Sequence, residues 1–158
     1  LGSLEVRIAK DDQETVQLWG ARKALSPVLY QLATNKINED IVVPIDRIPD
    51  LVEATHAIKQ RFGLPLVCFG HAGDGNIHCN IMYEKSDPDQ AKRAHEAVDQ
   101  LFSEVLTLGG TITGEHGVGM TKQKYLPQEV GEAQIELMQG IKKVFDPKNL
   151  LNPGKIFN

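Results

Sequence analysis

The chain has 158 residues, 41% of them hydrophobic, and its 17 basic and 21 acidic side chains leave a net charge of −4. That length suits one domain with enough apolar residues for a core. The charges are interspersed without a Lys/Arg-rich run, which argues against a nucleic-acid partner. No apolar stretch approaches the ~20 residues that span a bilayer, and no signal peptide is read.

In chain order, a first helix is predicted from 11 to about 33, capped by Asp11 or Asp12, with Val16, Leu18, Trp19 and Ala24 in its apolar stripe. Pro27 kinks it or ends its first part. Ile41-Val42-Val43-Pro44-Ile45 reads as a short strand at a sheet edge or end, because Pro44 has no N–H to give. A second helix runs from Pro49 to Phe62 and stops at Gly63. Leu64 to Phe69 and Ile77 to Tyr83 read as the strands of a hairpin. Asp87 then caps a helix opened by Pro88, striped by Ala91, Ala94, Val98, Leu101, Phe102, Val105 and Leu108 and ended by Gly109-Gly110. Thr111 to Thr113 reads as a further strand. Helices are expected near 118–125 and 128–145, before a loop-like tail from Asn149 to Phe157. The pattern gives an α+β fold: an antiparallel sheet with helices on one face, a ferredoxin-like cap, ending in helices and an extended tail. A start at Leu1-Gly2-Ser3 rather than Met is what an excised piece of a longer polypeptide would show.

The hairpin is the most informative segment. Asp74-Gly75 is a strong signal for a two-residue type I′ turn. With that turn, His71 lies directly opposite His78, with Cβ atoms about 4.5–5.5 Å apart. One face then carries Leu66, Cys68, Gly70 and Ala72 with Ile77, Cys79, Ile81 and Tyr83, and suits packing on helices. The other carries Val67, Phe69, His71, Asn76, His78, Asn80 and Met82. Cys68 and Cys79 are diagonal on the apolar face. They read as buried thiols rather than a disulfide or metal ligands, which suits a reducing compartment and a cytoplasmic protein.

Gly114-Glu115-His116-Gly117-Val118-Gly119 is the second informative stretch. Its glycines permit close backbone approach to a ligand. Adjacent in such a turn, Glu115 and His116 point in different directions, so one can ligate a metal while the other faces a substrate. His71, His78 and a carboxylate make a two-His, one-carboxylate set that zinc, manganese and iron all accept, with a coordination position left open.

Three ordered motifs carry a family resemblance: Gly70-His71-Ala72-Gly73-Asp74-Gly75-Asn76-Ile77-His78; Gly109-Gly110-Thr111-Ile112-Thr113-Gly114-Glu115-His116-Gly117-Val118-Gly119; and Phe145-Asp146-Pro147 with Leu151-Asn152-Pro153-Gly154-Lys155-Ile156. Asn38-Glu39-Asp40-Ile41-Val42-Val43-Pro44 also matches. From about Trp19 to Phe157 the chain resembles the C-terminal region of FAD-linked 2-hydroxy acid dehydrogenases of the vanillyl-alcohol oxidase type, with the glycolate oxidase FAD subunit as the nearest likeness.

The resemblance implies that residues 1–158 form a single substrate or cap domain, and that the FAD-binding domain lies outside this chain. It implies a divalent metal, zinc by family habit, on His71, His78 and Glu115. His116 would be the base, Arg22, Lys36 and Asn80 would reach the substrate, and Glu39, His116 and Asn152 would touch the flavin. A 2-hydroxy acid, the FAD domain and an iron–sulfur subunit are the implied partners, with membrane association only through other subunits. Two other readings stand beside this one: a metallohydrolase using the same ligands with His116 activating water, and a non-catalytic cap whose apolar tail (Leu150, Leu151, Ile156, Phe157) packs on a partner.

Overall fold

The computed structural model describes residues 6–157, so the chain start read above lies outside them. Helix α1 (Asp12–Val28) is capped by Asp11, whose carboxylate accepts from the Glu14 N–H at 2.8 Å. Pro27 falls in its last turn, and a single 3₁₀ turn (Leu29–Gln31) ends the helical run earlier than the sequence suggests. No residue of α1 is buried. The stripe of Val16 and Trp19 therefore faces away from the core described here, which corrects its reading as a packing face.

Strand β1 (Asn35–Val42) begins six residues before the strand expected at 41–45. Its polar residues Asn35, Lys36, Asn38, Glu39 and Asp40 mask it locally, and pairing along the whole of the neighbouring strand overrides that composition. Pro44 lies just beyond its end, where no ladder N–H is needed. Helix α2 (Ile48–Phe62) buries Leu51, Thr55, Ile58 and Phe62 at helical spacing, and Gly63 closes it in the left-handed conformation.

Strands β2 (Leu66–His71) and β3 (Asn76–Tyr83) form the hairpin, and β3 is the centre of an antiparallel sheet ordered β1-β3-β2. The register departs from the type I′ expectation. Cys68 pairs with Cys79, Phe69 with His78, and His71 with Asn76. The connection is a 3₁₀ turn, Ala72–Asp74, followed by Gly75 at φ 73°. Among the described residues of this loop only Gly75 takes positive φ, so Asp74 does not adopt the conformation a type I′ turn requires. The shift is by two residues, which preserves both faces but changes the partners. His71 is thus diagonal to His78, while Cys68 and Cys79 are directly opposed, with sulfurs 3.3 Å apart and both free.

Helix α3 (Pro88–Thr107) is capped by Asp87, which accepts from the N–H groups of Asp89 and Gln90. It buries Ala94, Ala97, Val98, Leu101, Phe102 and Val105. These meet Leu51 and Ile58 of α2 and Ile41, Ile77, Cys79 and Ile81 of the sheet in one cluster. Burial of each large apolar side chain contributes about 1.5–3 kcal/mol. The strand expected at Thr111–Thr113 shrinks to one bridge, Thr111 to Val42. The Glu129 carboxylate takes the Ile112 N–H at 2.9 Å and the Thr111 hydroxyl at 2.6 Å, so the ladder cannot continue. The bridge still completes the β-α-β-β-α-β order of a ferredoxin-like unit.

The two final helices also shift. Gly117 and Gly119 take positive φ, and 118–122 stays irregular. A 3₁₀ turn (Gln123–Tyr125) leads into the short α4 (Leu126–Val130), and Gly131 at φ 79° separates it from α5 (Glu132–Phe145). The tail returns to the glycine-rich segment, where the Ile156 N–H donates to the Gly119 carbonyl at 2.7 Å. Among the described residues no helix is long and apolar enough to cross a membrane.

Gly75 joins the hairpin loop to β1, since its carbonyl accepts from the Val43 N–H at 3.1 Å and a Cβ there would collide with the Val43 carbonyl. Gly75→Ala is therefore expected to lower unfolding free energy by about 1–3 kcal/mol. Gly73→Ala, with no atom within 4 Å of the added methyl, should change it by less than about 0.5 kcal/mol. Urea denaturation of the two variants checks the contrast.

Candidate metal and substrate site

Alternation along the strands turns Asn76, His78 and Asn80 of β3 to the face opposite the α2–α3 core, together with Phe69 and His71 of β2 and Lys36, Asn38 and Asp40 of β1. His71 ends β2 and is exposed, whereas His78 is half-buried. Their rings stand edge to face with centroids 6.1 Å apart. The glycine-rich segment 114–119 crosses this end of the sheet and delivers Glu115 and His116. His78 Nε2 lies 3.4 Å from Glu115 Oε1, and the His116 ring lies 5.5 Å from the His78 ring. One donor atom each from His71, His78 and Glu115 fit within 4.8 Å of one another.

The donor set suits a divalent ion of the zinc, manganese or iron kind. Burial holds His78 below the ordinary histidine range, against the pull of Asp40 and Glu115, and so favours the neutral imidazole that ligates metals. Its buried Nδ1 has no partner. Glu115 and His116 are 58% and 47% exposed at their side chains, so the cluster opens to one side.

Behind it lies a buried polar hub that sequence reasoning passed over. Asp40 Oδ2 accepts from three successive backbone N–H groups, Gly114 at 2.9 Å, Glu115 at 2.7 Å and His116 at 2.9 Å. Its Oδ1 accepts from Asn76 Nδ2 at 2.7 Å. Burial alone would raise the Asp40 pKa, but these hydrogen bonds outweigh it and hold the carboxyl far below the ordinary carboxylate range. Lys122 Nζ donates to the carbonyls of Asp40 and Ile112 at 2.9 and 2.7 Å and lies 3.6 Å from Glu39 Oε2. Burial pushes the Lys122 pKa down and the Glu39 pKa up. The signal available in the sequence was a pair of acids, Glu39 and Asp40, inside a run otherwise continued by Ile41, Val42 and Val43.

The remaining site candidates separate. Arg22 on α1 stacks over the Phe69 ring at 5.3 Å, and Phe69 neighbours His78, so α1 reaches the face that carries the two histidines. Lys36 Nζ is 2.7 Å from Ser26 Oγ, again on α1. Asn80 is buried; its Nδ2 donates to the carbonyls of Val67 and His78, and its Oδ1 has no partner. Glu39 pairs along β1 with Cys79 and so points to the helix-covered face, into Lys122, rather than to the open side. Asn152 is exposed in the tail, with its carbonyl accepting from the Lys155 N–H.

Comparison with known proteins gives a consistent result. Residues 1–156 match the family model described as FAD linked oxidases, C-terminal domain. The glycolate oxidase subunit GlcD of Bacillus subtilis is 37% identical over 155 residues, covering 98% of this chain and 33% of that protein. The mitochondrial D-lactate dehydrogenase [cytochrome] 1 of Saccharomyces cerevisiae is 41% identical, covering 96% of this chain and 26% of its own length. The chain therefore spans about a third or less of the curated relatives it matches. A solved 4-ethylphenol oxidase from Gulosibacter chungangensis, in complex with isoeugenol, shares the fold at 18% identity with a TM-score of 0.62, covering 94% of this chain and 31% of that one.

Removing the Lys122 ammonium would leave Glu39 and two carbonyls buried without their partner. Lys122→Met is expected to cost about 3–5 kcal/mol of stability. Adding Glu39→Gln to it should recover part of that loss by removing the stranded charge. Chemical denaturation of the single and double variants measures both.

Proposed function

We propose that this chain, which belongs to the family of FAD linked oxidase C-terminal domains, is the substrate- and metal-binding portion of a flavin-dependent dehydrogenase. The reaction is oxidation of a small 2-hydroxy acid, of the glycolate or D-lactate kind, to the 2-oxo acid with FAD as hydride acceptor. The observation that carries this reading is the convergence of His71, His78 and Glu115 with His116 alongside. The relatives named above, a glycolate oxidase subunit and a D-lactate dehydrogenase, support the substrate class. Residues 1–158 would form one cap domain, and the flavin would be held by a domain supplied from the remainder of such a protein.

His71, His78 and Glu115 would hold the metal, zinc being the first candidate. When bound, a divalent ion of this kind supplies Lewis acidity that lowers the pKa of a substrate hydroxyl. His116 would accept the hydroxyl proton on its imidazole, being close to the ligands yet open to the substrate side. Arg22 carries a planar fork that suits the substrate carboxylate, and its stacking on Phe69 keeps it near His78. Lys36, steadied by Ser26, adds a second positive charge on the same face. The partnerless Oδ1 of Asn80 offers an acceptor to a hydroxyl group. Asn152 and His116 are both exposed, and the flavin contact implied for them would be made with the docked domain. The buried pairing of Glu39 with Lys122 fits a supporting role better than flavin contact.

In the polypeptide that joins this chain to its flavin domain, activity on a panel of 2-hydroxy acids should disappear on chelation and return with zinc. His71→Ala should weaken metal affinity by more than about 100-fold, beyond what loss of an outer-shell partner costs, while FAD absorbance is retained. His116→Ala should lower kcat by about 10²–10⁴-fold with metal still bound. Activity indifferent to chelation and to His71→Ala would remove the metal from the reaction. The chain on its own is expected to be colourless and inactive, and a yellow flavin spectrum from it would show that the FAD site is here after all.

A further inference from the structure

We propose that Asp40 is the positioning residue of this site: its buried carboxylate, clamped by Asn76, fixes the backbone at 114–116 and thereby aims Glu115 and His116 at His78. The inference rests on the reading of Glu115 as a metal ligand and His116 as the base, and it adds the residue that sets their direction.

The segment from 113 to 119 has neither helix nor strand to define it. What defines it is an internal anion. Three consecutive N–H groups converge on the single oxygen Asp40 Oδ2 at 2.7–2.9 Å. Convergent N–H dipoles repel one another unless a negative charge sits at their focus, so this loop shape exists only around such a group. Asp40 is fully buried and therefore faces no competition from solvent. Its remaining oxygen is fixed by Asn76, itself buried, and its backbone carbonyl is fixed by Lys122. Gly114 completes the fit, since a Cβ there would collide with Asn76 Nδ2 and press on Asp40 Oδ1.

The side chains of Glu115 and His116 are about half exposed; Glu115 lies beside His71, His78 and His116, and the His116 ring lies beside that of His78. Half-exposed side chains are weakly constrained by packing, so the backbone that Asp40 holds sets where they start. The same carboxylate reaches β3 through Asn76, two residues from His78. One side chain thus ties the carboxylate-bearing loop to the histidine-bearing strand. A positioning device of this kind acts on the precision of the site and never touches the substrate.

The substitution Asp40→Asn is nearly isosteric but removes the negative charge from the focus of the three N–H groups. Asn76, whose Oδ1 has no partner, can turn to accept from the new amide, so the variant tests the charge rather than the pairing. The double variant Asp40→Asn/Asn76→Asp returns a negative charge to the hub, one hydrogen bond away from the loop. The primary readout is NMR of the metal-free chain: ring-to-ring cross-peaks between His78 and His116, with the Phe102–Tyr125 pair, at 4.3 Å, as the marker of an intact core. Asp40→Asn should keep the core cross-peak, lose the His78–His116 cross-peak and expose the amides of 114–116 to exchange. Zinc affinity, by competition with a chelator, should fall about 10–100-fold. The double variant should regain the histidine cross-peak and most of the affinity. If Asp40→Asn loses its core, the double variant decides alone, and a folded double variant without the histidine contact overturns the proposal. Retention of that contact in a folded Asp40→Asn overturns it too. A wild-type chain that binds no zinc would sink the metal reading instead, and the ring-contact comparison still stands on its own.

Discussion

The site depends on one buried carboxylate. Asp40 sits where β1, β3 and the glycine-rich segment meet, and each of its oxygens has a separate task. One oxygen gathers the backbone of Gly114, Glu115 and His116, and the other holds Asn76. A charge taken out of water costs several kcal/mol, and a hydrophobic replacement of similar shape is often as stable. The hub of Glu39, Asp40 and Lys122 is therefore poorly explained as a source of stability. It is better explained as a device for shape: Lys122 ties Asp40 to Ile112, and Asp40 ties that same stretch to the hairpin. The loop gains a fixed form without helix or strand, and its exposed side can serve chemistry.

The sheet separates two duties by the alternation of its strands. Along β3, Ile77, Cys79 and Ile81 enter the core with α2 and α3, while Asn76, His78 and Asn80 face the site. The core side is built from ordinary aliphatic packing, with Leu101, Phe102 and Val105 fully enclosed. The site side is enclosed unevenly. Asn80 and Met82 are buried, whereas His71 stands exposed at the rim. α1 reaches this side through Arg22 over Phe69 and Ser26 beside Lys36, although no residue of α1 is itself buried. His71, His78 and Asn80 and the cationic Arg22 and Lys36 thus share one face, and the hydrophobic core backs that face from the other side of the sheet.

What the sequence made legible follows from periodicity. A period of two sorts the hairpin faces correctly even when the register is wrong, because a shift of two residues conserves parity. The same shift moved His71 from opposite His78 to opposite Asn76, and brought Cys68 and Cys79 from diagonal to paired. Parity is a property of the chain, but partnership is set by the loop, and the loop escaped prediction because Asp74-Gly75 suits more than one turn. β1 was half invisible for another reason. Lys36, Asn38 and Asp40 are polar where a core-facing strand would be apolar, since they face the site, and Glu39 is polar on the core side because Lys122 waits there. The reading failed where function had altered the pattern. Asp40 stands inside the run 38–44 with no role that composition can assign, because its three backbone donors come from residues over seventy positions away.

The bonding around Asp40 also explains why glycines surround Glu115 and His116 in this segment. Gly114 is required by the close approach of Asn76 and Asp40, not by a positive φ. Gly117 and Gly119 do take positive φ, and they let the chain leave the site and turn toward Lys122. Between them, Glu115 and His116 are the only residues of the turn with long functional side chains, and both have their N–H groups consumed by the same oxygen. Backbone anchoring by an anion leaves those side chains free of any structural duty. On the proposed function, a site built this way separates the residues that hold its shape from those that would meet the ligand. Asp40, Asn76, Gly114 and Lys122 belong to the first group; His71, His78, Glu115 and His116 belong to the second. Changes at Asn76 and Gly114 should disturb geometry before chemistry, whereas Asp40 couples to the second group directly as well, because it lies across the sheet from His78 and its charge acts on that imidazole.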